Sequence, residues 1–117
     1  MYRELIKKIK SKKIKVSIIG LGYVGLPLAL RFIKSGIKVF GIDTDKKKIL
    51  KLKSGNSYIG SIKNHQLKYF KKNKDNFSDN LEDVKKADVI IICLPTPLKK
   101  NKTPDMSYVF NFSKKIK

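Results

Sequence analysis

The pattern of hydrophobic and polar positions near the start of the chain predicts a strand, a helix and a second strand. Residues 14–19 carry four β-branched side chains in close succession, as a buried parallel strand does. Residues 26–33 stay apolar on more than one side, and Gly36 is the residue type that usually ends a helix in the left-handed conformation. Residues 37–42 indicate a second strand that ends at Asp43. These segments together predict a βαβ unit.

The segment after Asp43 predicts a second crossover helix and a long connection. Residues 45–54 place apolar side chains at partly helical spacing and stop at Gly55. Residues 56–75 are polar and rich in lysine. We interpret them as a variable surface connection that contains one short helix.

The next residues predict the remaining strands of the sheet. A weak third strand lies near residues 76–78, and Asp79 or Asn80 caps a short helix that runs through Ala87. Residues 88–94 form a nearly continuous branched apolar run, which is typical of a strand in a sheet covered on both faces. The predicted fold class is α/β, a Rossmann-type doubly wound parallel sheet in the order 3-2-1-4. We expect it to be incomplete, with about four strands and the last strand at an exposed hydrophobic edge.

Residues 1–13 form a basic segment ahead of the predicted domain, which spans residues 14–117. Three apolar residues among the lysines predict a short amphipathic helix or arm, which packs on the domain or, alternatively, rests on a membrane surface. Residues 16–30 are uncharged and imitate a signal peptide or membrane anchor. These 15 residues are fewer than the ~20 that span a bilayer, and glycines and a proline interrupt them. We therefore expect a cytoplasmic protein with no membrane partner.

The turn between the first strand and the first core helix has the spacing G-x-G-x-x-G, in the sequence Gly20-Leu21-Gly22-Tyr23-Val24-Gly25. In a dinucleotide-binding unit the first glycine permits the tight turn out of the strand, and the second lets the backbone approach a pyrophosphate. The third lets the helix pack against the strand. The phosphates bind to free N–H groups at the positive end of that helix.

Asp43 is the candidate ligand of the cofactor's ribose. It follows Gly25 by 18 residues, close to the ~20 expected of an acid that hydrogen-bonds the ribose diol. A carboxylate at this position favours NAD, since it repels the 2′-phosphate of NADP. The alternative is a βαβ turn that binds no phosphate, in which the aspartate only caps a helix.

The last strand is followed by Pro95-Thr96-Pro97, which prevents the strand from continuing. The chain therefore leaves the sheet at its carboxyl edge, where open α/β sheets bind their ligands. The Thr96 hydroxyl is expected to face the cofactor, although a plain proline-rich strand exit accounts for the same residues. Residues 104–117 predict a last helix.

The charge of the chain is extreme but is not typical of a nucleic-acid reader. Its 117 residues carry a formal net charge of +19, and only Arg3 and Arg31 of the 28 basic residues are arginines. Base and phosphate recognition favours the forked arginine side chain, so we interpret the lysines as solvated surface and expect no specific nucleic-acid partner. Non-specific binding of polyanions at low salt is the expected by-product.

Cys93 is the only cysteine, so the chain forms no internal disulfide. This composition favours a reducing compartment. Its apolar neighbours favour a buried structural thiol over a nucleophile.

Several motifs, in order, resemble the N-terminal NAD-binding domain of the UDP-glucose/GDP-mannose dehydrogenase family, and most closely its UDP-N-acetylglucosamine 6-dehydrogenase branch. The resemblance covers nearly the whole chain from Lys13 onward. The motifs that carry it are GLGYVGLPLA at residues 20–29, GID at 41–43, GNSYI at 55–59, CLPTP at 93–97 and PDMSYV at 104–109.

The resemblance implies an NAD-dependent, two-step oxidation of the C6 alcohol of a sugar nucleotide to a carboxylate, for polysaccharide precursor synthesis. It assigns the pyrophosphate to residues 20–25 and the adenosine ribose to Asp43. It places Lys48 at the family's basic position beside that ribose, although a solvated helix lysine is the alternative. Pro95 and Thr96 line the nicotinamide side.

The sequence also departs from the family. The catalytic cysteine, its supporting lysine and asparagine, and most sugar-nucleotide contacts belong to later segments of the family that this chain lacks, and Cys93 does not match the catalytic position. We therefore expect an N-terminal fragment, inactive alone, of an enzyme that forms a homo-oligomer and binds a sugar nucleotide. A stand-alone NAD-binding module and, less favoured, a basic nucleic-acid-binding protein are the alternatives.

Overall fold

A computed structural model of the chain describes residues 2–94. Its centre is a four-stranded parallel sheet in the order β3-β2-β1-β4, which confirms the predicted strand order. The strands are β1 (Lys15–Ile19), β2 (Lys38–Ile42), β3 (Phe77–Ser78) and β4 (Val89–Ile92). The α-helices are α1 (Tyr2–Lys10), α2 (Gly25–Lys34), α3 (Lys46–Lys53) and α4 (Lys68–Lys72), and short 3₁₀ helices span Asn64–Leu67, Lys74–Asn76 and Leu81–Lys86.

The ends of the crossover helices follow the local sequence. Helix α2 ends at Lys34 with Ser35 as its C-cap, and the next residue, Gly36, takes a φ of +84°, where a side chain would be strained. Helix α3 begins after Asp45, whose carboxylate accepts a hydrogen bond of 2.9 Å from the Lys47 N–H. The first of these ends returns the chain to the sheet as β2, and the second leads it from β2 into α3.

The connection between α3 and β3 corrects the prediction of a variable surface segment. Four of its side chains are buried in the main hydrophobic cluster with β1, β2 and α2: Ile59, Ile62, Leu67 and Phe70. The rings of Phe70 and Phe77 lie 4.3 Å apart between centroids. Because β3 has only two residues, the connection has to supply the apolar side chains that cover this end of the sheet.

Strand β4 is only half-buried along its whole length, as the predicted exposed edge requires. Within residues 2–94 it pairs with β1 alone. The run of branched residues that suggested coverage on both faces therefore lies at the edge of the described sheet. On one face of the sheet beside β4, Val84 of the 3₁₀ helix Leu81–Lys86 packs with Ile19 and Ile42.

Helix α1 confirms the predicted N-terminal helix, and an ion pair joins it to the amino-terminal end of the parallel strands. The Lys8 ammonium donates to Asp88 at 2.8 Å, and the other oxygen of Asp88 accepts from the Lys15 N–H at 3.0 Å. The bond from Lys8 holds the pKa of Asp88 below its usual value, and the same bond raises the pKa of Lys8. None of the helices within residues 2–94 has the length and apolar character needed to cross a bilayer.

Candidate functional site

A cavity of about 630 Å³ lies where three parallel strands end at the same level. Ile19 at the end of β1 lies beside both Ile42 of β2 and Ile92 of β4. The carboxyl ends of such strands leave a crevice in which the connecting loops meet. The cavity is lined by Ile19, Gly20, Gly22, Tyr23, Val24, Ile42, Asp43, Thr44, Lys48, Ile92, Cys93 and Leu94.

Two glycines of the loop are required by close backbone packing, as predicted. Gly20 has a φ of +94°, and a Cβ on it would lie 2.5 Å from the Cys93 carbonyl oxygen. A Cβ on Gly25 would lie 1.7 Å from the Gly20 carbonyl oxygen. No side chain fits at either position without moving backbone atoms, so the two glycines let β1 turn sharply into α2.

Gly22 differs from these two glycines because the space beside it is open. A Cβ on Gly22 meets no atom of residues 2–94 within 4 Å, and the residue lines the cavity. Among the same residues, no group accepts a hydrogen bond from the N–H groups of Gly22, Tyr23 or Val24. This backbone fits a pyrophosphate, which needs close approach and several free N–H donors at the start of a helix.

The side chains of the loop point in different directions. Leu21 is fully buried in the core, whereas Tyr23 and Val24 are 83% and 69% exposed. The loop therefore lines the cavity, and the buried side chain of Leu21 anchors the loop in the hydrophobic core. Leu21 itself does not line the cavity, although the sequence assigned the whole loop to cofactor binding.

Asp43 lies at the end of β2 with its side chain only 11% exposed. One carboxylate oxygen accepts from the Leu21 N–H at 2.9 Å, and the other accepts from the Asp45 N–H at 2.9 Å. Two acceptor sites on each oxygen leave room for hydroxyl donors from the cavity. Asp43 therefore ties the loop after β1 to the loop after β2 and still faces the cavity.

Lys48 of α3 turns towards this carboxylate. Its ammonium lies 3.9 Å from Asp43 Oδ2 and 5.8 Å from the centre of the Tyr58 ring, and its side chain is 36% exposed. The position follows from α3, which begins three residues after Asp43 and places Lys48 on the turn facing the cavity. Lys48 thus sets a positive charge beside the acid.

Tyr58 is the residue near this site to which sequence reasoning gave no role. Its hydroxyl donates to the Leu21 carbonyl oxygen across 37 positions of sequence. It lines a second cavity of about 350 Å³ next to the first, shared with Gly22, Tyr23, Asp45, Lys47, Lys48, Lys51 and Ile59. Burial, and then the charges of Asp43 and Asp45, raise the pKa of Tyr58. The motif GNSYI was the only signal that pointed to this segment.

Cys93 forms part of the opposite wall of the main cavity. It is half-buried rather than buried, because β4 is the edge strand among residues 2–94, and burial raises the pKa of its thiol. Its N–H donates to the Ile19 carbonyl at 2.7 Å. Pro95 and Thr96, the residues predicted for the nicotinamide side, lie outside the described residues.

Comparison with known proteins identifies this domain as one that binds NAD. Residues 14–117 match the family described as the UDP-glucose/GDP-mannose dehydrogenase family, NAD binding domain. The UDP-N-acetyl-D-glucosamine 6-dehydrogenase of Salmonella typhi is 38% identical over 107 residues, which cover 89% of this chain and 24% of that protein. The chain spans about a quarter of the length of the curated relatives it matches.

Solved structures of two such enzymes share the fold. The UDP-D-ManNAc dehydrogenase from Pyrococcus horikoshii aligns with a TM-score of 0.74 and 34% identity, over 88% of this chain and 25% of its own. The GDP-mannose dehydrogenase from Pseudomonas aeruginosa, solved as a ternary complex, aligns with a TM-score of 0.74 and 32% identity, over 86% of this chain and 24% of its own. The chain therefore belongs to the UDP-glucose/GDP-mannose dehydrogenase family and carries its NAD-binding domain.

Proposed function

We propose that the main cavity binds NAD with its pyrophosphate over the glycine loop and its adenosine ribose beside Asp43. The observation that carries this proposal is the open backbone at Gly22, where three neighbouring N–H groups have no acceptor among residues 2–94. The three residues line the same cavity as Asp43. The pairing of free N–H groups and a single acid suits a ligand with a pyrophosphate and a ribose diol.

Each residue then has a separate task. The N–H groups of Gly22, Tyr23 and Val24 neutralise phosphate charge at the positive end of α2. Asp43 accepts hydrogen bonds from the ribose hydroxyls and disfavours a 2′-phosphate. Lys48 balances the charge of Asp43 from 3.9 Å. The family resemblance assigns the nicotinamide side to Pro95 and Thr96, which lie outside the described residues.

In the whole protein this domain would serve a nucleotide-sugar 6-dehydrogenase, in which NAD supplies the hydride acceptor for oxidation of a C6 alcohol to a carboxylate. The dehydrogenase names of the relatives support this proposal. The proposal extends to a UDP-sugar substrate, polysaccharide precursor synthesis, a cytoplasmic location and a homo-oligomeric enzyme. The 117-residue chain is expected to bind the cofactor without turnover, because Cys93, its only cysteine, does not match the position of the family's catalytic cysteine.

Calorimetric titration of the chain with NAD tests the site. Replacement of Gly22 by alanine is expected to weaken binding at least tenfold, since the methyl group occupies the space that a phosphate oxygen needs, a change of roughly 1.4 kcal/mol or more. Gly60→Ala is the matched control, because a Cβ there also meets no neighbour within 4 Å but the residue does not line the cavity. Equal affinities for the two variants would contradict the proposed site.

A stand-alone NAD-binding module is the second candidate. It is favoured by the presence of the glycine loop, Asp43 and Lys48 in one short chain. Steady formation of NADH from a UDP-sugar by the pure 117-residue chain would contradict both the module and the expected lack of turnover. Aggregation with little NAD binding would speak against the module only.

A further inference from the structure

The peptide groups around Leu21 are held from both sides. Its N–H donates to Asp43 Oδ2 at 2.9 Å, and its carbonyl oxygen accepts from the Tyr58 hydroxyl. The leucine side chain is fully buried beneath them. The residue between the first two glycines of the loop therefore has its donor, its acceptor and its side chain all engaged, although glycines on either side give the backbone freedom to move.

The segment that carries Tyr58 is itself fixed by local hydrogen bonds. The Ser57 N–H donates to Asn64 Oδ1 at 2.8 Å, and the Ser57 hydroxyl donates to the Ile59 carbonyl at 2.8 Å. Ile59 is buried in the main hydrophobic cluster. Tyr58 therefore lies in a segment that is held by hydrogen bonds and by the burial of its neighbour Ile59.

Lys48 connects the two partners of Leu21. Its ammonium lies 3.9 Å from Asp43 Oδ2 and 5.8 Å from the centre of the Tyr58 ring. A cation over an aromatic ring and beside a carboxylate is attracted to both. The side chains of Asp43, Lys48 and Tyr58 form one cluster around the Leu21 backbone, which we call the Leu21 clamp.

We propose that Tyr58 is a positioning residue that holds the glycine loop, through the Leu21 carbonyl, in the shape that presents the free N–H groups to the cofactor. The inference rests on the proposed function, because it concerns the same NAD site. Preorganised donors bind more tightly than donors that must first be ordered. The hydroxyl is a suitable holder since its raised pKa keeps it protonated, and therefore a donor, across the neutral range.

Tyr58→Phe removes the hydroxyl while keeping the ring for Lys48, and Tyr69→Phe is the matched control. Tyr69 is also a half-buried tyrosine packed on the same core, and its hydroxyl bonds to Asn76 rather than to the loop. Two measurements are made on the full 117-residue chain: NAD affinity by calorimetry, and exchange of the Leu21 amide hydrogen by ¹⁵N NMR.

Loss of one hydrogen bond at the loop is expected to weaken NAD binding by about threefold to tenfold in Tyr58→Phe. The Leu21 amide is expected to exchange faster by a similar factor, while amides of the sheet are unchanged. Tyr69→Phe should leave both quantities as in the wild type. Unchanged Leu21 exchange in Tyr58→Phe would overturn the inference.

The two proposals fail in different ways. If the wild-type chain binds no NAD, the proposed function fails, and the exchange of Leu21 still decides whether Tyr58 holds the loop. If the wild type binds NAD and Tyr58→Phe binds it equally well, the proposed function stands and the positioning role is refuted. If both tyrosine variants weaken binding equally, the effect belongs to the core and the positioning role is likewise refuted.

Discussion

Replacement of Gly25 by alanine tests whether β1 and α2 are packed as closely as their geometry indicates. A Cβ at this position would lie 1.7 Å from the Gly20 carbonyl oxygen, 2.8 Å from its carbonyl carbon and 3.3 Å from Cys93 Cβ. The first two atoms belong to the backbone and cannot rotate away. The start of α2 would therefore have to move relative to the end of β1.

The size of the effect follows from the overlap. Ordinary contact begins at 3.4 Å, so the nearest atom is 1.7 Å too close. Forcing an extra carbon into a packed core costs about 1–3 kcal/mol, and a backbone clash belongs at the upper end of that range. Alanine gains up to about 1 kcal/mol over glycine in a helix, which offsets part of the cost. We expect a net loss of about 2 kcal/mol in the free energy of unfolding.

Urea unfolding followed by circular dichroism measures this loss. With a slope of about 2 kcal/mol per molar urea, the midpoint of Gly25→Ala should fall by about 1 M. Gly60→Ala, which places a methyl group in open space, is the control for the chemical change and should keep a midpoint close to that of the wild type. A Gly25→Ala midpoint equal to that of the control would refute the reasoning, because the clash would then be relieved without cost.

Three further results are expected. The Ser17 hydroxyl is buried and has no hydrogen-bond partner within residues 2–94. Ser17→Ala should therefore raise the free energy of unfolding by about 1 kcal/mol in the same urea assay. A variant less stable than the wild type would contradict this account. The pKa of Asp88 is held below its ordinary value of 3.8 by Lys8, so its contribution to stability is complete above that pH and is lost as the pH falls through the lowered pKa. Asp88→Asn should therefore flatten the acid side of the stability profile, and an unchanged slope would exclude the ion pair as a source of stability. Asp43→Asn should reduce the preference for NAD over NADP by about tenfold in calorimetric titrations, because it removes the negative charge that repels a 2′-phosphate; an unchanged ratio would remove Asp43 from the ribose site.

The core of the fold was predictable because its signals are local. The branched run before Gly20 and the break at Gly36 mark the first βαβ unit within 30 residues of sequence. Strand order followed from the handedness and connectivity of such units. The structure agrees at both glycines, each with a positive φ.

The short helix predicted in the connection between α3 and β3 is present as α4, but the burial of the connection was not predicted because its apolar residues are few and widely spaced. Its buried residues Ile59, Ile62, Leu67 and Phe70 are separated by polar residues at no regular spacing. Outside the short helix, such spacing gives neither the helical nor the strand period. Its burial depends on the shortness of β3, which leaves a gap that only a neighbouring segment can fill.

Tyr58 escaped prediction for a related reason. Its partner Leu21 lies 37 residues away, and the bond joins a side chain to a carbonyl, which leaves no complementary residue type in the sequence. Asp43 was singled out for a ribose, and its bond to the Leu21 N–H was equally hidden. Contacts to the backbone are independent of the partner's side chain, so sequence patterns cannot register them.

The sequence by itself determined the glycine loop, the acid after the second strand and the parallel order of the sheet, since each depends on residue type at short spacing. Only the tertiary structure decided how the loop is held. Three distant side chains, Asp43, Lys48 and Tyr58, meet around the Leu21 backbone because the ends of β1 and β2, helix α3 and the connection after it converge at one edge of the sheet. The physical reason is that glycine allows the backbone to approach a phosphate closely but also leaves the loop conformationally free. Contacts from residues outside the loop are therefore needed to fix its shape.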